Sequence, residues 1–230
     1  MEQYSRPKRG GIRAINLDDG DRLIGVSLVT KGDQIVLATS NGFAIRFDED
    51  DARAMGRAAG GVRGISLREG DKVVDLVVGR PGCQLLAACE NGFGKRTPID
   101  EYRHTNRGGM GVINIKVNER NGKVVNVVVV DDTTELLLLT ERGMVQRIGA
   151  AGIRETGRAA QGVRLMALEE GDRLTTMAKI PHIEEQAAGG APAHDGVPSS
   201  TAAPTRPAPP RRTGAPARRP GRRRRPRTTM

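Results

Sequence analysis

A stretch of about eleven residues recurs four times in this chain, at intervals of about 50 residues. The copies read GIRAINLDDGD at 11–21, GVRGISLREGD at 61–71, GVINIKVNERNG at 111–122 and GVRLMALEEGD at 162–172. A second landmark follows each of the first three copies at a fixed distance, as SNGFAIRF at 40–47, ENGFGKRT at 90–97 and ERGMVQRI at 141–148. Because a fixed period of this length is the signature of a repeat architecture, the sequence predicts stacked copies of one small unit.

Each unit is predicted to contain four short antiparallel strands. In the second copy these are residues 62–67, 72–78, 84–89 and 93–97, which are apolar or alternate with period two. Glu-Gly-Asp and Asn-Gly sequences between them are typical of tight turns. One such unit cannot bury both of its faces, so we predict an all-β, propeller-like array. Its repeats are expected at about 4–55, 56–105, 106–156 and 157–183.

The net charge of +10 is concentrated near the end of the chain. Residues 187–230 contain ten arginines and one acidic residue, so they carry +9 and leave about +1 for residues 1–186. The repeat pattern is lost there in favour of Pro, Ala, Gly, Ser, Thr and Arg, which predicts a disordered basic tail after a folded domain at 1–186. A non-specific phosphate-binding segment, a solvated linker and sequence read out of frame all fit this composition.

The two cysteines are interpreted as free thiols. Cys83 and Cys89 would stand roughly 20 Å apart on extended chain, too far for a disulfide unless a turn intervenes. No signal peptide and no uninterrupted apolar run of membrane-spanning length is visible. We therefore expect a cytoplasmic protein that does not enter a membrane.

Residues that could carry catalysis or hold a metal are scarce. The histidines, at positions 104, 182 and 194, lack the spacing of a zinc site, and the acidic turn at 16–22 lacks the ligand spacing of a calcium loop. No Gly-x-x-x-x-Gly-Lys phosphate loop occurs. Tyr4 and Tyr102 lie beside arginine-rich loops, but neither has an acidic cluster nearby, which favours structural roles. We predict no catalytic residue, metal, cofactor or small-molecule substrate for this chain.

Basic residues recur at equivalent positions of the repeats, which predicts a cationic track if the repeats surround an axis. The candidates are Arg13, Arg63 and Arg164 after the repeat glycine, Arg46, Arg96 and Arg147 at the end of a strand, Arg57, Arg107 and Arg158 in the following loop, and Arg9, Lys95 and Arg103 beside them. The alternative is a scatter of solvated arginines offset by neighbouring acids. Aromatic residues make up only 2%, which disfavours base stacking, so a duplex held by its phosphates is the better ligand.

The repeats resemble the C-terminal domain family of the A subunit of DNA gyrase, a bacterial type II topoisomerase. The resemblance is carried by YSRPKRGGIRAINLDDGDRLIGV, RFDEDDARAMGRAAGGVRGISLREGDKVV, ENGFGKRTPIDEY and GVINIKVNERNGKVVNVVVVDD, within residues 4–183. It implies a β-pinwheel that binds double-stranded DNA around a basic perimeter and wraps it into a positive superhelical turn. In that family the wrap supports negative supercoiling, with the gyrase B subunit as partner, ATP and Mg²⁺ bound elsewhere in the holoenzyme, and the nucleoid as the location.

The chain departs from the family pattern in several ways. Family members usually carry six blades, and the breakage-reunion domain with its active-site tyrosine is missing here. The Gln-Arg-Arg-Gly-Gly-Lys-Gly box has only weak echoes, at 8–11 and 107–111. We expect the C-terminal piece of a larger polypeptide, with no enzymatic activity of its own. The corresponding domain of the topoisomerase IV A subunit, a propeller-like protein-interaction scaffold and a non-functional gene fragment remain as alternatives.

Overall fold

The computed structural model describes residues 4–6 and 9–181, and in that part of the chain every regular strand begins at or after residue 34. The strands are β1 Gln34–Thr39, β2 Phe43–Asp48, β3 Val73–Gly79, β4 Gln84–Cys89, β5 Phe93–Pro98, β6 Val112–Ile113, β7 Val124–Val130, β8 Glu135–Thr140, β9 Val145–Gly149, β10 Val163–Arg164 and β11 Leu174–Ile180. Short 3₁₀ turns follow three of them, at Glu49–Asp51, Ile99–Glu101 and Ala150–Gly152. The predicted tail at 187–230 and the boundary at 186 lie outside the described residues.

Three antiparallel sheets are formed, each built on one hairpin. The strand orders are β3-β1-β2-β6 in the first sheet, β10-β5-β4-β7 in the second and β11-β8-β9 in the third. The first strand of each hairpin pairs with a long strand of the next repeat, and the short strands β6 and β10 come from the repeat after that. The all-β, propeller-like prediction is confirmed, but a sheet gathers its strands from successive repeats and not from one.

The predicted strand at 62–67 is wrong. Its equivalents in later repeats form only the two-residue strands β6 and β10, since pairing stops where the chain turns away. After Val112 and Ile113 have paired with β2, the amides of the next two residues both donate to the carbonyl of Gly42, which ends the ladder. The hairpin that residues 62–67 would need is absent from the described part of the chain.

The core lies between neighbouring sheets, and β4 contributes to both sides of the second one. Leu85 faces the cluster between the first and second sheets, whereas Leu86 faces the cluster between the second and third. Both side chains are buried. A strand covered on both faces needs apolar residues at successive buried positions, which is why residues 85–89 read LLAAC without alternation.

The long strands β3, β7 and β11 lie side by side and form the inner edges of the three sheets. A polar bridge connects them: the Asn126 side chain donates to the Asp75 carboxylate at 2.5 Å and accepts from the Met177 amide at 3.0 Å. Burial raises the pKa of the Asp75 carboxyl group. The opposite edges, which carry β6 and β10, therefore form the perimeter.

Gly162→Ala is expected to destabilise the fold by about 3 kcal/mol. Gly162 has a φ of +84°, and a Cβ placed there would lie 2.6 Å from the carbonyl oxygen of Gly94, where β10 crosses β5. Gly82→Ala is the matched control, because its φ is also +84° but nothing lies within 4 Å, so we expect a loss of about 1 kcal/mol. Urea unfolding measures both, and equal losses would contradict a close approach at β10.

Candidate nucleic-acid interface

The perimeter is covered by three loops, here called the rim loops, at residues 52–61, 102–111 and 153–162. Each runs from a 3₁₀ turn to the next copy of the repeat glycine. The second rim loop follows β2, since the Thr105 amide donates to the Arg46 carbonyl at 3.0 Å. The third follows β5 in the same way, through Thr156 and Arg96 at 2.9 Å. The second and third rim loops therefore lie along the outer edges of the first and second sheets.

Each rim loop is attached to the preceding repeat by an arginine. The guanidinium donates to the backbone carbonyl of the second residue after that repeat's glycine. The pairs are Arg57 to Arg13 at 3.2 Å, Arg107 to Arg63 at 2.9 Å and Arg158 to Ile113 at 3.1 Å. The structure thus brings together two of the predicted sets. One is the set of loop arginines, and the other is the set of residues that follow the repeat glycine in the preceding repeat. The third pair has an isoleucine where the others have an arginine.

A further recurring set was missed by the sequence prediction, which included only its middle member. Arg53, Arg103 and Arg154 stand two residues after the successive 3₁₀ turns, and all three are exposed. They make no hydrogen bond or ion pair with any residue of the described ranges. Their constant offset from FDEDD, TPIDE and GAAG was the signal available in the sequence. We call each rim loop, with the residue it contacts one repeat earlier, a station.

The three stations carry eight arginines on one edge of the structure. Station 1 has Arg13, Arg53 and Arg57, station 2 has Arg63, Arg103 and Arg107, and station 3 has Arg154 and Arg158. The arginines at 57, 107 and 158 are partly buried, whereas the others are exposed. Anchored guanidinium groups hold the loops in place, and the exposed ones are available to a ligand.

Burial corrects the prediction for Arg46 and Arg96, which were expected on the cationic track. Arg46 is buried, and its guanidinium donates to the carbonyl oxygens of Ile99 at 2.7 Å and Tyr102 at 3.0 Å. Arg96 donates in the equivalent way to Ile153 at 2.5 Å. Each arginine clamps the 3₁₀ turn of the next repeat onto its own hairpin. A phosphate could not reach either group without breaking these bonds.

Lys95 is also removed from the predicted site, because its side chain is fully buried. It occupies the position of Ile45 in the first sheet, and its ammonium group contacts the Thr97 hydroxyl. Burial lowers the pKa of Lys95 to about 8, against the smaller opposing effect of the Glu101 carboxylate. Tyr102 is buried nearby and its hydroxyl donates to Asn114 at 2.6 Å, which gives this tyrosine a structural position.

Lys95→Met is expected to stabilise the protein at pH 7 by about 2 to 3 kcal/mol. The lowered pKa means that the folded state binds the proton less well than the unfolded state, whose lysine has a pKa near 10.5. Stability should therefore rise between about pH 8 and pH 10.5 in the parent chain, and this rise should be smaller in the variant. Urea unfolding at pH 7 and pH 10 measures both effects. A less stable variant at pH 7 would contradict the burial penalty.

Besides Arg46 and Arg96, three predicted arginines lie outside the stations. Arg9 is exposed near the beginning of the described residues. Arg147 is exposed but pairs with Glu135 across the third hairpin. Arg164 is exposed and its guanidinium carbon lies 5.6 Å from the centre of the Phe93 ring.

No group of three or more His, Cys, Asp or Glu residues within 4–6 and 9–181 is arranged to hold a metal ion. His104 instead pairs with Asp48 at 2.8 Å. Cys83 and Cys89 are free thiols, and burial raises the pKa of Cys89 to about 12, so it stays protonated. The same part of the chain contains no helix long and apolar enough to cross a membrane.

A second cationic surface lies at the inner end of the sheets, away from the rim loops. It surrounds an open cavity of about 790 Å³. Lys72, Lys123 and Arg173 line this cavity at equivalent positions just before β3, β7 and β11, together with Glu90 and Glu141. The mixture of charges leaves it less positive than stations 1 and 2, and it provides a control surface for charge removal.

The family model described as the DNA gyrase C-terminal domain, beta-propeller, matches residues 1–30, 33–79, 84–131 and 134–181. The A subunit of DNA gyrase from Klebsiella oxytoca is 45% identical over 179 residues, which are 78% of this chain and 20% of that protein. The same subunit from Halalkalibacterium halodurans is 53% identical over 180 residues, or 78% of this chain and 22% of that protein. The chain thus spans about a fifth of the length of these curated relatives.

Solved structures show the same architecture. A DNA gyrase A C-terminal domain superposes with a TM-score of 0.70 at 29% identity, covering 75% of this chain and 59% of the other. A topoisomerase IV C-terminal domain superposes with a TM-score of 0.73 at 26% identity, covering 78% of this chain and 56% of the other. The overall fold described above is thus shared with domains of this kind.

Proposed function

The chain belongs to the DNA gyrase C-terminal domain family, and from this premise we propose that it binds double-stranded DNA along its perimeter and wraps it. The observation that carries the proposal is the row of three stations, which present arginines at repeated positions on one edge of the structure. Guanidinium groups on loops can contact phosphates without reading bases. We therefore expect binding with little sequence preference.

Several stations are needed because bending the DNA costs free energy, which the contacts with the protein have to offset. Bending about 20 to 30 base pairs by 40 to 90° costs roughly 1 to 6 kcal/mol. One station of two or three arginines would not hold that bend. Five phosphate contacts, one for each exposed arginine of the stations, would give a slope near −4.5 in a plot of log affinity against log salt concentration. A duplex spanning all three stations is therefore expected to bind much more tightly than one that reaches a single station.

The test is a salt titration of binding to duplexes of about 20, 40 and 80 base pairs, with the full chain and with residues 1–186. If the perimeter is the binding surface, the shorter chain gains affinity with duplex length and keeps a steep salt dependence. Binding that requires residues 187–230 and ignores duplex length would assign the affinity to the tail and refute the proposal.

Wrapping, as distinct from binding, is tested on closed circular DNA. A nicked plasmid is ligated in the presence of the chain, the protein is removed, and the topoisomers are separated on a gel. A positive superhelical wrap shifts the distribution in proportion to the amount of bound chain, whereas binding without wrapping leaves it unchanged. An unchanged distribution at saturating protein would reject wrapping but not DNA binding.

The wider role is proposed by extension to the whole enzyme. We propose that the wrap supports ATP-dependent negative supercoiling when the remainder of the gyrase A subunit and the gyrase B subunit are present, on the bacterial nucleoid in the cytoplasm. In this proposal the chain supplies no catalytic group, and ATP and Mg²⁺ bind to the other parts. Adding the chain to the B subunit together with an A subunit that lacks its C-terminal domain should raise supercoiling activity. No change would confine the role to DNA binding.

The topoisomerase IV domain is a second candidate, favoured by its TM-score of 0.73. The two candidates are separated by repeating the same assay with the topoisomerase IV subunits. Stimulation of that enzyme alone would replace the gyrase assignment, whereas stimulation of the gyrase subunits alone would support it.

A further inference from the structure

The third station exposes fewer arginines than the other two. In station order, the exposed arginines are Arg13 and Arg53, then Arg63 and Arg103, then Arg154 alone. The difference arises at Ile113, which stands where the first two stations have an arginine after the repeat glycine. A duplex that passes all three stations would therefore have the fewest phosphate contacts at the third, unless another cation lies there.

Lys116 is a cation at the third station that the sequence prediction did not include. It stands three residues after Ile113, and its backbone amide donates to the Ala160 carbonyl of the third rim loop at 3.0 Å. Its side chain is exposed, and its ammonium group forms no hydrogen bond or ion pair with a residue of 4–6 or 9–181. The charge is therefore available to a ligand beside the third rim loop.

The side chains equivalent to Lys116 in the first two stations anchor their rim loops. The Ser66 hydroxyl donates to the Gly108 carbonyl at 2.7 Å, and the Asn16 side-chain amide donates to the Ala58 carbonyl. Ala58 and Gly108 are equivalent residues of the first and second rim loops. A side chain that anchors its loop in this way is not free to bind a ligand.

Asn121 anchors the third rim loop instead. Its side-chain amide donates to the Gln161 carbonyl of that loop at 3.0 Å and to the Lys116 carbonyl at 2.8 Å. Asn121 is fully buried, and the equivalent turns at 17–21, 67–71 and 168–172 contain no asparagine. Because Asn121 anchors the loop, the side chain at position 116 is released from that contact.

Lys116 also has open space beside it. It lines a cavity of about 340 Å³ between the third rim loop and the turn of the first hairpin. The lining includes Gln161 from the loop and Asn41 and Gly42 from the turn, and the described residues contribute amide and apolar groups but no carboxylate to it. A phosphate could therefore approach the ammonium group without meeting a negative charge in this cavity.

We propose that Lys116 binds a DNA phosphate at the third station in place of the arginine that is missing at position 113. Each station then presents two exposed cations. The contact moves by three residues, at most about 10 Å of extended chain, toward the turn of the first hairpin. A lysine suits a displaced contact, because it binds phosphate as a point charge without the fixed geometry of a guanidinium. This role presupposes the DNA binding proposed above and specifies where the duplex lies at the third station.

Lys116→Ser in the full chain is expected to weaken binding to a duplex of about 80 base pairs by about five- to tenfold at 0.1 M salt, and to make the salt slope less steep by about 0.9. Serine is chosen because Ser66 occupies the equivalent position. Lys123→Ser is the matched control, since it removes the same charge from the inner cavity, and it should bind within about twofold of the parent with an unchanged slope. Fluorescence anisotropy across a salt series measures both variants, and equal losses would overturn the proposal.

Adding Ile113→Arg to Lys116→Ser recreates the pattern of the first two stations. An arginine fits this position, because Arg164 occupies it in the equivalent strand β10 and is exposed there. The double variant should therefore bind within about twofold of the parent chain and recover its salt slope. A double variant as weak as Lys116→Ser would mean that the charge at 116 does not replace the one missing at 113, against the proposal.

Acetylation of lysines in the parent chain tests the contact without a substitution. When the duplex is bound, the reaction of Lys116 with an N-hydroxysuccinimide ester should slow by about fivefold or more, whereas Lys72 and Lys123 around the inner cavity should react within about twofold of their rates in the free protein. Mass spectrometry measures each lysine separately. An unprotected Lys116 would overturn this role alone if replacing the three arginines that follow the 3₁₀ turns still weakens binding. If that replacement has no effect either, the proposed function fails with it.

Discussion

Replacing Arg53, Arg103 and Arg154 together with alanine should weaken duplex binding by about 10²- to 10³-fold at 0.1 M salt. These arginines are exposed and bind no described residue, so they are available to phosphates and their removal should leave the fold intact. Each lost phosphate contact reduces the salt slope by about 0.9, so the slope should become less steep by about 2.7. This difference does not depend on any contribution from residues 187–230. Fluorescence anisotropy across a salt series measures both quantities.

The control removes the same charge from a different surface. Lys72, Lys123 and Arg173, around the inner cavity, are replaced with alanine in a second variant. A change in net charge alone would affect both variants equally, whereas phosphate contacts at the stations predict a loss below tenfold and an unchanged slope for the control. If the control loses as much as the rim variant, the DNA does not follow the perimeter.

Arg46→Ala is expected to destabilise the protein by about 3 to 5 kcal/mol. Its guanidinium donates to two backbone carbonyls of the second repeat and to Gln34. Its removal leaves the buried Tyr102 carbonyl without this donor and the Ile99 carbonyl with only the Tyr102 amide. The contact joins residues more than fifty positions apart, so the first and second sheets should loosen together. Urea unfolding followed by circular dichroism gives the free energy of unfolding.

Arg147→Ala is the matched control for this effect. Arg147 occupies the equivalent position in the third hairpin, but it is exposed and pairs only with Glu135 among the described residues. Exposed ion pairs contribute little, so we expect a change below about 1 kcal/mol. Similar losses for the two variants would mean that clamping the next repeat is not what Arg46 contributes.

The strands of the fold were largely predictable because repeated patterns in the sequence report local structure. The Asn-Gly sequence before Phe93, with apolar runs on both sides, predicted the hairpin of β4 and β5, which the structure contains. The failure at 62–67 has a different origin. Those residues have strand-like composition, but whether they form a strand depends on pairing with a hairpin two repeats earlier. A local sequence pattern does not show whether such a distant partner is present.

The candidate site shows the same division. Recurrence identified the arginines at 13, 57, 63, 107 and 158 as equivalent, and the structure places them together in stations. Recurrence also selected Arg46, Arg96 and Lys95, which are inside the fold. A residue repeats in register whether it binds a ligand or a backbone carbonyl of the next repeat, so periodicity does not separate the two roles.

The sequence by itself determined the repeat, its hairpins and the all-β class, because these follow from apolar periodicity and turn residues within about fifteen positions. Only the tertiary structure decided which strands share a sheet and which arginines are exposed. Those properties depend on contacts between residues 40 to 60 positions apart. A basic side chain on the perimeter and one that binds backbone carbonyls beneath it recur equally regularly in the sequence, and their contacts in the fold distinguish them.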